Sequence, residues 1–168
     1  MGCGKSTTGK LLAKKMHMDF VDLDVQIEKE QNTSVAKLFS EKGEEYFRKI
    51  EQKALSDVCK KTNTVIAVGG GAPCFFNNIH TINANSVSVY LKQSVDTLFE
   101  RLKNERASRP LINSLNDSQL KTFISELLEK RDPFYQLAHY KVKAKDLLIG
   151  ALSDFIKEQT LTEKLEKS

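Results

Sequence analysis

The hexapeptide GCGKST at positions 2 to 7 restricts the fold more than any other part of this chain. It is the back half of a phosphate-binding loop. The complete form, G-x-x-x-x-G-K-[ST], follows a buried strand and opens a helix, so that backbone N–H groups converge on phosphate oxygens. Lys5 is then set to reach the β- and γ-phosphates as a point charge, and Ser6 to put its hydroxyl on Mg²⁺. Gly4 lets the backbone approach with no Cβ in the way. Thr7, Thr8 and Gly9 open a helix through Leu11, Leu12 and Met16. The loop's first glycine and its leading strand would fall before Met1. A start codon set too far downstream, or a longer reading frame, would each account for that. The bland alternative is a chance GKS triplet at a helix start, and the rest of the chain weighs against it.

With 168 residues, 40% of them hydrophobic and 29% charged, the expectation is one α/β domain over 1–168, large enough to bury a core. No apolar run is long enough to span a membrane and no charged-then-apolar leader precedes the loop, so a cytoplasmic protein without membrane contact is expected. Cys3, Cys59 and Cys74 form an odd, scattered set with no C-x-x-C pair, which argues for reduced thiols and against a structural zinc. The net charge of +4 suits small anionic substrates. No basic block interleaved with aromatics points to nucleic acid.

Helix and strand patterns alternate, as in a parallel sheet covered on both faces. DFVDLD gives a short strand, followed by helical spacing at Val35, Leu38 and Phe39 and again at Phe47, Ile50, Ala54 and Val58. TVIAV at 64 to 68, stopped by Gly69, Gly70 and Gly71, reads as a central buried strand. SVSVYL at 86 to 91 is another strand. Ser94 caps a helix through Val95, Leu98, Phe99 and Leu102. Positions 104 to 118, polar and broken by Pro110, read as a mobile loop rather than a core element. Asp117 caps a helix through Leu120, Phe123, Ile124, Leu127 and Leu128. HYKVKA at 139 to 144 is a last strand, and Leu148, Leu152, Phe155 and Ile156 stripe a final helix.

Ligands in such a sheet bind beyond the carboxyl ends of the strands. Asp22 and Asp24 lie two apart at one such end, on the same face if the strand persists; one carboxylate would hold magnesium through water and the other accept from an acceptor hydroxyl. Equally, Asp24 reads as an N-cap of the following VQIEKE helix. The glycine triplet costs conformational entropy and packs nothing, which suggests a ligand lying directly against the backbone. Cys74 reads as a small packed residue rather than a nucleophile. Arginine at a surface is commonly just solvated charge, yet Arg48 has Glu51 three residues on to hold its fork. Arg131 sits at a helix end broken by Pro133, and Arg109 stands where a guanidinium swings over a transferring phosphoryl group, with Arg106 close by. A bidentate arginine is the natural partner of a carboxylate, which hints at an acidic acceptor.

GCGKST, FVDLD, GEEYFRKIE, AVGGGAP, RPLI and KRDPFY follow one another in the order and approximate spacing found in shikimate kinases. The chain resembles that family over most of its length. The resemblance implies a P-loop kinase of nucleoside-monophosphate-kinase-like fold: three α-β-α layers, a parallel sheet of order 2-3-1-4-5 whose first, central strand is absent from this chain, and a lid at about 104–118. It implies a monomer that uses ATP and Mg²⁺ to phosphorylate the 3-hydroxyl of shikimate, a step toward chorismate and the aromatic amino acids.

By the same resemblance, Gly2, Cys3, Gly4, Lys5, Ser6 and Thr7 bind ATP with Arg109 of the lid. Ser6 and Asp22 serve the magnesium. Asp24 meets the acceptor hydroxyl, Arg48 and Arg131 clamp the shikimate carboxylate, and Gly69, Gly70 and Gly71 hold the ring hydroxyls. Lys5, Asp24 and Arg109 are the catalytic set. Arg106 has no secure counterpart beyond a place near the adenine, and the adenine-side loop falls near Lys143 to Asp146. Another small-molecule kinase of this fold, such as a gluconate kinase, shares loop and lid but not the D-x-D, F-R and glycine-triplet set together. A catalytically inactive nucleotide-binding relative is the remaining alternative.

Overall fold

The computed structural model describes residues 2–106, 109, 111–144 and 148–166, with side chains as far as residue 159. In chain order the elements are α1 (Lys5–Met16), β1 (Asp19–Asp22), α2 (Leu23–Gln31), α3 (Val35–Val58), β2 (Thr64–Ala67) and a 3-10 turn (Ala72–Cys74). They continue as α4 (Asn78–Asn85), β3 (Val89–Lys92), α5 (Val95–Asn104), α6 (Asp117–Tyr135), β4 (Tyr140–Lys143) and α7 (Ile149–Glu166).

β1 and β2 are parallel, with Asp19 opposite Thr64 and Asp22 opposite Ala67. β3 and β4 are parallel too, with Val89 opposite Tyr140 and Lys92 opposite Lys143. The two pairs form separate sheets among the described residues. β2 and β3 nonetheless line one cavity of about 1850 Å³, together with Leu12 of α1 and Gly2–Ser6. This is the expected 2-3-1-4-5 order with no described strand in the central position. One edge of β2 and one of β3 front that cavity unpaired, so the backbone groups there lack the ladder that a buried strand requires.

Two apolar clusters hold the helices. Leu23 and Ile27 of α2 pack with Leu38, Phe47, Ala54, Leu55 and Val58 of α3. Leu98 and Leu102 of α5 pack with Leu120 and Ile124 of α6 around Ile112. Ile112 is wholly buried, so the 104–118 segment carries a core anchor and is not purely a polar loop. Its Pro110 lies outside the described residues.

Local chemistry explains most boundaries and corrects a few expectations. Ser94 caps α5, accepting from the Thr97 N–H at 3.2 Å. The cap of α6 is Asn116 rather than Asp117: Asn116 Oδ1 accepts from Gln119 N–H while Gln119 Oε1 accepts from Asn116 N–H, a reciprocal pair that an aspartate one position later cannot make. Pro133 does not end α6. It sits inside the last turn, and the helix continues to Tyr135. α3 is broken at Gly43, whose φ of 82° and ψ of 170° interrupt the helical path. α4 went unmarked by the sequence reading, although Ile79 and Ile82 at i and i+3 are its buried face.

α1 lies close against β1 because residue 9 has no side chain. A Cβ there would stand 2.6 Å from Phe20 Cε2. Gly9→Ala is therefore expected to destabilise by roughly 1–3 kcal/mol, the usual range for overpacking a tight contact. Urea titration checks it: the midpoint should fall with the slope unchanged, and an unchanged midpoint would mean that Phe20 yields freely.

Candidate active site

Gly4 adopts φ 87° and ψ 18°, a left-handed conformation that glycine enters without strain, and its carbonyl accepts the Thr8 N–H at 2.9 Å. That turn starts α1 at Lys5, two residues earlier than Thr7. The free N–H groups of the first helical turn stand at the cavity's end, where they and the helix dipole favour an anion.

The two aspartates meet this loop by a route other than strand alternation. β1 stops at Asp22, and Asp22 is the N-cap of α2, its Oδ1 accepting from the Asp24 N–H at 3.1 Å. The capping aspartate is thus Asp22, and Asp24 occupies the first helical turn. Both carboxylates face α1. Ser6 donates its hydroxyl to Asp22 Oδ2 at 2.5 Å. Lys5 Nζ stands 3.8 Å from Asp22 Oδ2 and 3.5 Å from Asp24 Oδ2.

A second wall is built around Arg48, which is only 7% exposed. Its Nε and Nη2 donate to Glu44 Oε1 at 3.1 and 2.9 Å, and Nη1 donates to Glu51 Oε2 at 2.7 Å. The Phe75 ring lies 4.1 Å from Arg48 Cζ. A guanidinium carries five N–H donors, so these bonds leave one on each terminal nitrogen, a fork fit for a carboxylate. Burial pushes the Glu51 carboxyl above its usual range, opposed by the Arg48 charge against it.

The glycine triplet fits between these groups. A Cβ on Gly71 would fall 2.6 Å from Arg48 Nη2, and one on Gly69 would fall 3.0 Å from both Asp24 Oδ1 and Glu51 Oε1. Only glycine allows so close an approach. Arg131 makes no ion pair among the described residues, and its charge acts on Glu51, Cys74 and Tyr135. Cys74 behaves as expected of a packed residue: burial pushes its thiol up, away from the reactive thiolate.

The lid arginines are paired internally. Arg109 holds Glu105 through Nε at 3.0 Å and Nη2 at 2.5 Å, and it lines the same cavity as the phosphate loop. Arg106 holds Asp117 at 2.5 Å, at the start of α6. Of the stretch expected near the adenine, residues 145 and 146 lie outside the described residues.

The family model described as shikimate kinase matches residues 1–160. A shikimate kinase from Parabacteroides distasonis is 44% identical over 88% of this chain and 86% of its own length. The chain belongs to the shikimate kinase family. A crystal structure of the Bacteroides thetaiotaomicron shikimate kinase superposes with a TM-score of 0.85 at 40% identity, over 99% of this chain and 94% of that one. An Acinetobacter baumannii shikimate kinase, solved in complex with shikimate, superposes with a TM-score of 0.84 at 30% identity, over 98% and 90% of the two chains.

Some residues at the site escaped the sequence. Glu44 was legible, being four residues before Arg48 on one helix. Arg101 was not: it donates to the Gly2 carbonyl at 3.0 Å, a contact across the fold that leaves no local trace. Tyr135 also escaped. Its hydroxyl donates to the Gly70 carbonyl at 2.6 Å and its ring lies 4.8 Å from that of Tyr90.

Burial pushes the Tyr135 phenol up to about 12, with the nearby Arg131 charge opposing. A group raised in the folded state stabilises the fold fully below its unfolded value, about 10 for tyrosine, and that contribution is lost as pH rises through the folded value. Relative to Tyr135→Phe, the unmodified protein should lose roughly 1 kcal/mol of unfolding free energy between about pH 10 and pH 11. Parallel stability curves for the two would show an unperturbed phenol.

Proposed function

We propose that this chain transfers the γ-phosphoryl group of ATP to the 3-hydroxyl of shikimate. The observation that carries this reading is the convergence of Asp24, the Glu51-held fork of Arg48 and the glycine turn beside Lys5. An acidic, polyhydroxylated acceptor needs a carboxylate clamp, a hydroxyl acceptor and close backbone, and a phosphate donor needs the loop. In the reaction the acceptor oxygen forms a bond to the γ-phosphorus as the bond to ADP breaks, and the acceptor proton passes to Asp24. The transition state is loose, so the protein contributes positioning and charge neutralisation. Lys5 and Arg109 supply the neutralisation, each exchanging an internal carboxylate for phosphate oxygens, with 104–118 acting as the lid. Arg131 joins Arg48 on the shikimate carboxylate, and Gly69, Gly70 and Gly71 meet the ring hydroxyls. Gly2, Cys3, Gly4, Ser6 and Thr7 complete the nucleotide loop.

Magnesium fits the residues present. The Ser6 hydroxyl and Asp22 carboxylate already meet, and Mg²⁺ takes one or two protein oxygens, its other positions going to water and substrate phosphate. No cluster of three or more His, Cys, Asp or Glu able to hold a metal occurs among the described residues, which agrees with so sparse a set. When bound, Mg²⁺ neutralises charge on the phosphates. No helix among the described residues is long and apolar enough to cross a membrane. The expected setting is a cytoplasmic monomer.

The test is shikimate-dependent ADP release with Mg²⁺ and ATP, run on this chain and on one extended before Met1 by an apolar strand and a glycine. Release by either supports the reading; a folded, ATP-binding extended form that releases no ADP with shikimate overturns it. In the active form, Asp24→Asn should lower kcat on the order of 100-fold while ATP affinity holds, since general-base contributions are of that size. Unchanged kcat would remove Asp24 from the reaction. Arg48→Lys should raise the KM for shikimate on the order of tenfold, because an ammonium lacks the planar fork. A KM that stays put in the folded variant would end the clamp assignment.

A further inference from the structure

The glycine turn is hydrogen-bonded on one side only. The Gly69 carbonyl accepts from Ala72 N–H at 3.1 Å and the Gly71 carbonyl from Cys74 N–H at 2.8 Å. The Gly70 carbonyl accepts from the Tyr135 hydroxyl at 2.6 Å, with the weak Cys74 Sγ donor at 3.9 Å. Among the described residues, the N–H groups of Gly70 and Gly71 donate to no protein acceptor. A trans peptide is planar, with its C=O and N–H on opposite sides. Fixing the Gly70 carbonyl toward Tyr135 therefore fixes the Gly71 N–H in the other direction.

This peptide is the one most free to turn over. It joins two residues without Cβ atoms, for which left- and right-handed backbone states cost nearly the same. The flanking carbonyls are held by the turn's own backbone, whereas the Gly70 carbonyl depends on a side chain 65 residues away in sequence. Tyr135 is well suited to hold it. Its ring is fixed against Tyr90 of β3, and its place at the end of α6 puts it one turn after Arg131.

We propose that Tyr135 is a positioning residue for the acceptor site: its hydroxyl locks the Gly70–Gly71 peptide with the Gly71 N–H turned toward the acceptor, and so sets acceptor affinity without touching the substrate. A flipped peptide would present a carbonyl where a donor is needed. The proposal rests on the phosphotransfer reading above, so its test includes a readout that needs no turnover.

Tyr135→Phe keeps the ring on Tyr90 and removes only the hydroxyl, and with it the contact to the Arg131 side chain as well as the bond to the Gly70 carbonyl, so the Gly71 amide is the readout that separates the two. In the active form, the KM for shikimate should rise about five- to twentyfold, with kcat and the KM for ATP within twofold. In the unliganded protein, ¹⁵N relaxation dispersion should report microsecond–millisecond exchange at the Gly71 amide in the variant and none in the unmodified chain. An unchanged shikimate KM in a folded variant overturns the proposal, even if its melting temperature falls, because the hydroxyl would then serve stability alone. A Gly71 amide equally quiet in both proteins overturns it as well. Absence of shikimate-dependent ADP release from the unmodified and extended forms would instead defeat the phosphotransfer reading, and the Gly71 amide would still decide whether Tyr135 holds the peptide.

Discussion

A guanidinium removed from water has to find its compensation inside the protein, and one wall of this site is organised around that requirement at Arg48. Truncating one member of a buried ion pair leaves the other uncompensated, at a typical cost of about 3–5 kcal/mol. Glu51, 1% exposed and 2.7 Å away, is therefore as necessary to the fold as Arg48 itself. The pair also fixes what surrounds it. Gly71 can have no Cβ because the guanidinium occupies that space, and Gly69 can have none because Glu51 and Asp24 converge there. The break in α3 at Gly43 falls just before Glu44, so the helical segment carrying Glu44, Arg48 and Glu51 is separated in direction from the one before it.

On the nucleotide side the corresponding constraint is weaker and reversible. Lys5 stands between Asp22 and Asp24 at distances too long for a tight ion pair, and all three side chains keep some contact with water. Pairs of this kind contribute little to stability, so under the proposed reading a phosphate would displace the carboxylates at small cost. The contrast is chemical. A clamp for a ring acid benefits from rigidity, whereas a lysine that follows a phosphoryl group between two oxygens benefits from being loosely held.

Much of this was legible in the sequence because it is written in short-range spacing. GCGKST gave the loop, TVIAV and the glycine run gave β2 and its end, and the i, i+3 spacing of Arg48 and Glu51 gave their pairing though not its burial. That the strands run parallel followed from helix–strand alternation, and which of them pair from the sheet order that the family resemblance implies. Illegible features depend on long-range packing or on backbone partners. Asn116 takes the cap of α6 because Gln119 reciprocates, which Asp117 could not have revealed alone. Ile112 is buried because α5 and α6 close over it, whereas its equally apolar neighbour Leu111 stays exposed, a choice that local sequence does not reveal. Arg101 and Tyr135 both bond to carbonyls, which have no residue identity to read.

The same accounting explains why the cations are arranged as they are. Arg48, Lys5, Arg106 and Arg109 each have a carboxylate partner, while Arg131 has none among the described residues and faces Tyr135 and, at longer range, Glu51. A site of uncompensated like charges would repel itself, and one in which every cation were saturated would offer an anion nothing. The observed balance compensates the buried Arg48 and the more exposed Lys5, Arg106 and Arg109. It leaves Arg131 without a carboxylate partner among the described residues, its guanidinium engaged with the Tyr135 hydroxyl, and the N–H groups of Gly70 and Gly71 without a protein acceptor among the described residues. Under the proposed reading, a small carboxylic acid with hydroxyls would be met by both kinds of donor at once.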